Sequence, residues 1–411
     1  MKPTVLITTT SRWLPTVRLG LALAKAGCMV EAVCPVRHAL GKMTAVRRTY
    51  TYRGLMPLKC FANAIAAAKP DFIIPGDDLA TSHLHRLYEQ ERLRGEAGRP
   101  VCQLIERSLG SPESFPAVYA RTGFMDLARE EGVRSPKTAV VANIHELRKW
   151  VARTGLPTVL KVNGTSGGDG VRLVHTLEEA ESAFRTLQAP PLVVRAVKRA
   201  LVDGDKTLVW PSLLRHRSVV NAQTFVAGHE ATSAVACWEG SVLASLHFEV
   251  INKRDSAGPS SVVRLVENTD MLNAVEKMVR RLKLSGMHGF DFMLEAHTGN
   301  AYLIEINPRA TQVGHLALGP GRDLPAALYS ALSGEPLHAA PKVTENDTIT
   351  LFPQEWWRDP SSPYLTSGYH DVPWEAPELL SACVGKRWKR NRKSTKEPPV
   401  QALSTVRLPR L

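Results

Sequence analysis

The chain has 411 residues, which is more than one typical domain and predicts two or three. Hydrophobic residues make up 44% of it, as in ordinary globular proteins, and no apolar run approaches the roughly 18 residues that a membrane-spanning helix needs. The first residues predict a β-strand rather than a signal peptide, and the six scattered cysteines lack Cys-x-x-Cys spacing, which indicates reduced thiols in a cytoplasmic protein without a zinc site or disulfides.

The formal net charge of +13 is concentrated at the two ends of the sequence. Residues 1–54 and 386–411 each carry a net +8, so the stretch between them is slightly acidic. This distribution is unlike that of a domain with a basic face for nucleic acid, and no nucleic-acid partner is expected. The N-terminal arginines either bind an anionic substrate or form a solvated basic face. The C-terminal tail either contacts membranes or is a solubilising, disordered end, and the disordered end is favoured. The arginines in question are Arg12, Arg18 and Arg37.

The first 110 residues predict an N-terminal α/β domain with a Rossmann-like parallel sheet. A strand at 4–10 is followed by a helix at 17–26 that ends at Gly27, then by a strand at 29–35. An alanine-rich helix at 60–70 leads into the buried strand "DFIIPGDD". Ligands of open α/β sheets gather beyond the carboxyl ends of the strands, where the loop Thr8–Leu14 and the pair Asp77–Asp78 would lie. The alternative is that these are solvated turn residues.

A glycine-rich hairpin follows a predicted helix, a strand and a second helix that has Asn143 as its N-cap. The stretch "VLKVNGTSGGDGV" is not a P-loop, because its lysine precedes the glycines, and it is not a dinucleotide fingerprint, because a strand follows it. The pattern is strand, glycine loop, strand. It predicts either a phosphate-covering loop or an ordinary hairpin.

A second hairpin carries two carboxylates. From 192 to 251 strand patterns dominate, and a helix at 270–284 shows an apolar stripe of Leu272, Val275, Val279 and Leu282. After it, "GFDFMLE" and "AYLIEIN" predict two paired strands whose turn centres on Thr298. This register places Asp291 opposite Glu305, with Asn307 on the same face. The opposite, core-facing side is predicted to hold Phe290, Phe292, Leu294, Tyr302, Ile304 and Ile306.

Two facing carboxylates repel each other, and a divalent cation would remove that repulsion. Mg²⁺ prefers such oxygen ligands and completes its shell with substrate phosphates and water. The alternative is an acidic strand face that is simply exposed to solvent.

The segments "GVRSP", "VLKVNGTSGGDGV", "FVAGHEA", "FDFMLE" and "LIEINPR" occur in an order and at a spacing that resemble the ATP-grasp superfamily. The resemblance covers roughly 111–336, and residues 1–110 resemble the superfamily's N-terminal domain more loosely. It implies α/β and α+β domains in series: an N-terminal domain at 1–110, a small subdomain with a glycine-rich lid at 111–192, and a large subdomain with the hinge and metal site at 193–344. Residues 345–411 form an extension without a counterpart.

The resemblance also implies roles for individual residues. Lys161 and Arg121 match the cations that bind the nucleotide phosphates, and Arg309 matches the arginine that steadies the transferring phosphate or the intermediate. Asp291, Glu305 and Asn307 match the magnesium ligands. The remaining nucleotide contacts that it implies are Ser166, Gly167 and Gly168 in the lid, Gln223, Thr224, Phe225 and Val226 at the adenine, Glu230 at the ribose, and Lys253 as a further phosphate contact or a plain loop lysine.

The expected function is therefore that of an ATP- and Mg²⁺-dependent carboxylate–amine ligase, with Mn²⁺ as an alternative metal. ATP, a small carboxylate and an amine are the expected partners, and a homodimer is one expectation because dimers are frequent in the superfamily. One alternative is activation of bicarbonate or another small acid. Another is a nucleotide-binding scaffold that docks on membranes or acidic partners through its basic ends. His315 is a candidate substrate contact, and the tryptophans at 356, 357 and 374 either close the site or pack the extension.

Overall fold

A computed structural model describes residues 2–162, 170–189, 218–255, 258–338 and 340–383. Three β-sheets with flanking helices make up these ranges. No helix within them is both long and apolar enough to cross a membrane.

The N-terminal domain is built on a parallel sheet, as its strand–helix–strand pattern predicts. The sheet contains, in the order β3-β2-β1-β4, the strands β1 (Thr4–Thr8), β2 (Met29–Cys34), β3 (Val46–Thr51) and β4 (Phe72–Pro75). Its helices are α1 (Pro15–Ala26), α2 (Pro57–Ala68), α3 (Asp78–Arg92) and α4 (Arg99–Leu109). Helix α1 ends at Gly27, whose φ of 116° lies in the left-handed region that favours glycine.

A small antiparallel sheet carries the glycine-rich hairpin. Its order is β5-β8-β6-β7, with β5 (Thr138–Val141), β6 (Thr158–Val162), β7 (Val171–Val174) and β8 (Val220–Thr224). The helices of this part are α5 (Arg121–Glu130), α6 (Ile144–Thr154) and α7 (Leu177–Gln188). Asn143 caps α6 through the backbone N–H of Glu146, as predicted. Strands β6 and β7 pair as a hairpin, and residues 163–169 at its tip lie outside the described ranges.

The large sheet has the order β13-β12-β9-β10-β11-β14-β15. Its strands are β9 (Gly228–Trp238), β10 (Ser241–Lys253), β11 (Ser260–Leu265), β12 (Gly286–Glu295), β13 (Ala301–Asn307), β14 (Thr348–Leu351) and β15 (Tyr369–Asp371). The helices of this region are α8 (Thr269–Arg281), α9 (Leu324–Ser333), α10 (Gln354–Arg358) and α11 (Tyr364–Ser367). In α8 the predicted stripe is buried except at Leu272, which is half-buried, while Met271 and Met278 face the core.

One apolar cluster joins the N-terminal sheet to the large sheet. Val17 and Leu19 of α1 pack in the same cluster as Leu246 and Phe248 of β10 and Leu328 of α9. Burial of such side chains is the main stabilising contribution to the contact. The shared core fixes the carboxyl edge of the N-terminal sheet against the large sheet.

Part of the C-terminal extension belongs to the large sheet, which the sequence did not predict. Strand β14 pairs antiparallel with β11, and β15 pairs parallel with β14. Trp357 packs against the core cluster, Trp356 stacks on Phe352 and Trp374 is 47% exposed, so Trp357 packs the extension. The basic tail at 386–411, with its predicted disorder, lies outside the described residues.

Candidate active site

The β12–β13 hairpin brings two carboxylates together. Asp291 pairs with Glu305, and Gly289 pairs with Asn307 two residues away, as the predicted register requires. A register shift follows immediately, so that Phe292 pairs with Leu303. The opposed carboxylates therefore lie next to a β-bulge, a feature that is common beside active sites.

The bulge changes which residues face the core. Alternation predicted Tyr302 and Ile304 in the core, and this is wrong for both: each is half-buried, whereas Leu303 is fully buried. Ile304 is the extra residue between the pairs formed by Glu305 and Leu303, and an inserted residue reverses the alternation beyond it.

Asp291 is held by two hydrogen bonds. Thr232 of β9 donates its hydroxyl to Oδ1 at 2.8 Å, and Asn307 donates its side-chain N–H to Oδ2 at 2.9 Å. Burial, followed by the nearby charge of Glu305, raises the pKa of Asp291 to about 6. Thr232 was not among the predicted site residues, although its place opposite Asp291 follows once the β9–β12 register is known.

The pKa of Glu305 is shifted in the opposite direction. Burial raises its pKa, but the charges of Arg121 and Lys161 outweigh burial and leave the pKa below its ordinary value. Arg121, the first residue of α5, forms an ion pair with Glu305. No three His, Cys, Asp or Glu side chains of the described ranges gather as a metal-binding group.

Lys161 points from β6 toward this pair and is 8% exposed. Burial lowers its pKa to about 8, although Glu305 opposes the shift. A buried polar chain connects this strand to α5: Thr122 donates to the side-chain oxygen of Asn221 at 2.8 Å, and Asn221 donates to the backbone oxygen of Lys161 at 3.5 Å. This chain was not found from the sequence, because each of its links joins residues from different elements.

Glu230 and Lys253 lie together at the other end of the site. Lys253 of β10 donates to Glu230 of β9 at 2.7 Å. Gly228, which begins β9, lies so close to β12 that an added Cβ would be 1.9 Å from the carbonyl oxygen of Leu294. The strand thus approaches its neighbour closely where Glu230 is presented.

The predicted adenine contacts lie at the end of β8. The side-chain nitrogen of Gln223 donates to the Thr138 hydroxyl at 3.0 Å inside the small sheet. Phe225 is 38% exposed, and Thr224 and Val226 are half-buried. Ser166, Gly167 and Gly168 fall outside the described residues.

Arg309 follows β13 and reaches the N-terminal domain. Its Nε lies 3.2 Å from the Asp78 carboxylate, Nη2 donates to the side-chain oxygen of Asn307 at 3.3 Å, and Nη1 donates to the Ala310 carbonyl at 3.2 Å. Of the five N–H groups of a guanidinium, these contacts use three. Arg309 thus ties the carboxyl edge of the N-terminal sheet to the Asp291–Asn307 face.

The arginines that were candidates for an anionic substrate, and His315, have other contacts. Arg18 and His315 both bind the buried carboxylate of Asp371 at the end of β15, His315 at 2.8 Å. Arg12 donates to the Val36 carbonyl at 3.0 Å, and Arg37 is exposed on the surface. Arg18 and His315 thereby connect the extension to α1 and to the loop after Arg309.

Residues 126–313 match the profile of the ATP-grasp domain. The chain is similar to the acetyl-CoA carboxylase of Dictyostelium discoideum, 25% identical over 207 residues that cover 50% of this chain and 8% of that protein. It is also similar to the carbamoyl phosphate synthase large chain of Synechocystis, 22% identical over 242 residues that cover 58% of this chain and 21% of that protein. The chain thus spans about a fifth or less of these relatives' length.

Solved structures show the same fold. The ADP complex of PurK, an N5-carboxyaminoimidazole ribonucleotide synthetase, aligns with a TM-score of 0.56 at 14% identity, covering 84% of this chain and 80% of that one. The biotin carboxylase of Campylobacter jejuni aligns with a TM-score of 0.57 at 14% identity, covering 85% and 74%. At these identities the likeness shows the fold alone.

Proposed function

We propose that this chain is an ATP- and Mg²⁺-dependent ligase that activates a substrate carboxylate as an acyl phosphate and joins it to an amine, because residues 126–313 match the profile of the ATP-grasp domain. The observation that carries the proposal is the convergence of the Asp291–Glu305 pair with the cations Lys161, Arg121 and Arg309. Paired carboxylates among several cations suit a phosphoryl group and its metal ions.

The donor set fits a hard divalent cation. Asp291, Glu305 and Asn307 present carboxylate and amide oxygens on one face, and Mg²⁺ takes such ligands with phosphates and water completing its shell. Bound there, Mg²⁺ or Mn²⁺ would neutralise charge on the phosphate oxygens. Glu305 would then exchange its contact with Arg121 for the metal, which lets Arg121 turn to the phosphates.

The nucleotide would lie between the small and large sheets. Lys161 and Arg121 would bind its phosphates, Glu230 its ribose hydroxyls, and Gln223 with the backbone of Thr224–Val226 its base. Lys253, now on Glu230, would be a further phosphate contact, and Ser166, Gly167 and Gly168 would cover the phosphates as a lid. The charged residues Lys161, Arg121, Glu230 and Lys253 lie in one region of the structure. The PurK structure named above is a complex with ADP, and the Campylobacter jejuni structure is a complex with an ATP compound.

The chemistry would need no protein nucleophile. A substrate carboxylate attacks the γ-phosphorus, ADP leaves, and the resulting acyl phosphate is attacked by an amine with release of phosphate. Arg309 and Lys161 would stabilise the charge on the transferring phosphoryl group. The two N–H groups of Arg309 that are not used in the contacts described above could donate hydrogen bonds to the oxygens of that group. Closure of the lid would keep water from the anhydride.

Bicarbonate is the second candidate for the activated acid. Carbamoyl phosphate synthase and biotin carboxylase are both among the similar proteins, and a further similar structure, the biotin carboxylase domain of the Hydrogenobacter thermophilus 2-oxoglutarate carboxylase, was solved with bicarbonate. That structure is also of a dimer, which supports a homodimer as the assembly.

The deciding experiment measures release of ADP and phosphate from Mg-ATP with pooled carboxylic acids, amino acids and bicarbonate. The Glu305→Gln variant tests the site, and Glu295→Gln is its matched control, because Glu295 is an acidic residue at the end of β12, the strand that pairs with β13. Release that depends on one acid, persists in Glu295→Gln and disappears in Glu305→Gln supports the ligase. Binding of ATP without release in any pool contradicts it and favours the scaffold alternative, for which deletion of 386–411 should abolish binding to vesicles.

A further inference from the structure

Two neighbouring aspartates after β4 have different environments. Asp77 accepts hydrogen bonds from the hydroxyl of Thr9, from the N–H and hydroxyl of Thr10, from the N–H of Ser11 and from the N–H of Ala80. It therefore caps α3 and holds the loop after β1. With so many donors on one carboxylate, Asp77 has a structural role.

Asp78 has one partner. In the described part of the chain its carboxylate contacts Arg309 alone, with Oδ1 3.2 Å from Nε. Its side chain is 38% exposed, so the carboxylate has room for a second contact. Asp78 thus presents a negative charge beside the arginine that would steady the phosphate.

The backbone around this pair is fixed from both sides. The Thr81 hydroxyl donates to the carbonyl of Pro308 at 2.7 Å, and the N–H of Ala310 donates to the carbonyl of Pro75 at 3.0 Å. These two bonds join the segment that carries Asp78 to the segment that carries Arg309, one on each side of their contact. The placement of Asp78 is therefore built into the junction of the two sheets and is not that of a mobile surface side chain.

We propose that Asp78 binds the amine substrate and accepts a proton from its ammonium form before the C–N bond forms, an inference that rests on the ligase function proposed above. The amine nitrogen attacks the carbonyl carbon of the acyl phosphate, the C–N bond forms and the C–O bond to phosphate breaks. Before the attack, the ammonium form of the amine gives one proton to the Asp78 carboxylate, which frees the lone pair on nitrogen. Phosphate then leaves with the electron pair of the C–O bond and takes the second proton that the nitrogen loses. Asp78 is a catalytic residue in this step, because it contacts the reacting amine.

The geometry selects the class of substrate. Arg309 would hold the phosphate end of the intermediate, so a group in contact with its Nε lies within reach of the adjacent acyl carbon. A carboxylate there attracts an ammonium group and repels an acid. The substrate assigned to Asp78 is therefore a primary amine that carries positive charge in solution, and a proton acceptor is what such a nucleophile requires.

The test separates capture of the acyl phosphate by amine from its formation. Hydroxylamine is largely unprotonated at neutral pH and traps acyl phosphates as hydroxamates without a base. The protein is incubated with Mg-ATP, the acid that stimulates ADP release, hydroxylamine, and ammonium ion or pooled primary amines. The readout is the ratio of amide to hydroxamate. In Asp78→Asn this ratio should fall about 100-fold or more, the usual contribution of a positioned proton acceptor.

The matched control is Asp270→Asn. Asp270 also lies in the first turn of a helix, forms an ion pair with Arg134 and is 40% exposed, but it is on α8. The ratio of amide to hydroxamate in Asp270→Asn should equal that of the wild type. Asp78→Glu keeps the carboxylate and should recover part of the ratio that Asp78→Asn loses. Asp78→Glu also replaces Asp78→Asn as the test variant if Asp78→Asn fails to fold.

Three other outcomes of this experiment would contradict the proposed role of Asp78. If Asp78 only orients Arg309, both products fall together and the ratio stays constant, which overturns the role of Asp78 but leaves the ligase standing. If the wild type forms hydroxamate but no amide with any amine, the amine half of the ligase proposal fails and this inference with it. No hydroxamate with any acid would overturn acid activation itself.

Discussion

Asp291 and Glu305 face each other across the β12–β13 hairpin, yet their pKa values move in opposite directions. Burial and its partner raise the pKa of Asp291 to about 6, while Arg121 and Lys161 hold the pKa of Glu305 down. The two carboxylates are one directly opposed pair, so the difference comes from the cations that stand nearer to Glu305. Like charges so placed need a compensating cation, and Arg121 and Lys161 supply positive charge on the Glu305 side of the pair.

Loss of the Thr232 hydroxyl should weaken metal binding. Thr232→Val removes the hydrogen bond that orients Asp291, and groups that orient metal ligands typically contribute about 10- to 100-fold in affinity. The dissociation constant for Mn²⁺, measured by electron paramagnetic resonance in the presence of ADP, should rise by that factor. Thr232→Ser keeps the hydroxyl and should bind as the wild type does; equal affinity in all three proteins would show that Thr232 does not orient a metal ligand.

Nucleotide affinity should fall as the pH rises above about 8. Burial places the pKa of Lys161 there, so the side chain is positively charged below this pH and neutral above it. Binding of phosphates then requires uptake of a proton, and the affinity for ATP should decrease toward about tenfold per pH unit. Calorimetric titration between pH 7 and 9.5 measures this.

Lys161→Arg provides the comparison for that measurement. Its guanidinium stays charged throughout the range, so its affinity should be independent of pH. A wild-type affinity that is equally flat would mean that Lys161 does not contact the phosphates.

The buried carboxylate of Glu355 should stabilise the packing of the extension. Glu355 of α10 is fully buried and accepts hydrogen bonds from Arg358, Ser261 and Ser362. Burial raises the pKa of Glu355, but these donors outweigh burial and lower it from 4.5 to about 2. Glu355→Gln leaves Arg358 without its counter-charge and should cost about 3 kcal/mol of the free energy of unfolding at pH 7.

The pH dependence of this stabilisation follows from the sign of the shift. A carboxylate whose folded pKa is depressed contributes fully above its unfolded pKa of about 4.5, and the contribution is lost as the pH falls toward 2. Urea unfolding at several pH values should therefore show wild type and Glu355→Gln converging in acid. A constant difference down to pH 2.5 would refute the assignment.

A methyl group at Gly228 should disturb the sheet. Its Cβ would lie 1.9 Å from the backbone oxygen of Leu294, so β9 and β12 would have to separate. Gly228→Ala should lower the free energy of unfolding by about 1–3 kcal/mol and weaken ATP binding, because Glu230 follows two residues later.

Gly123→Ala in helix α5 serves as the control for Gly228→Ala. The nearest atom to its added Cβ is 3.6 Å away, and alanine favours the helix, so stability should be unchanged or higher. Thermal unfolding measures the stability of both variants. Equal stability of Gly228→Ala and Gly123→Ala would show that β9 and β12 can accommodate the added methyl group.

The sequence by itself determined the parts that depend on neighbours along the chain. The pairing of Asp291 with Glu305 followed from the turn at Thr298 and the twofold period of a strand, and the end of α1 at Gly27 and the cap at Asn143 followed from local backbone preferences. The segments that resemble the ATP-grasp superfamily were recognisable for the same reason. They lie on short continuous segments whose residues keep fixed spacing.

Only the tertiary structure decided the contacts between distant segments. The bulge at Ile304 is invisible to periodicity, since one extra residue changes the face of every residue beyond it. Arg18 was a candidate for an anionic substrate until β15 placed Asp371 against it, and Asp78 was one of two equivalent aspartates until Arg309 came within 3.2 Å. Alternation and capping are set by the backbone's own geometry, whereas the partner of a charged side chain is set by how separate elements pack.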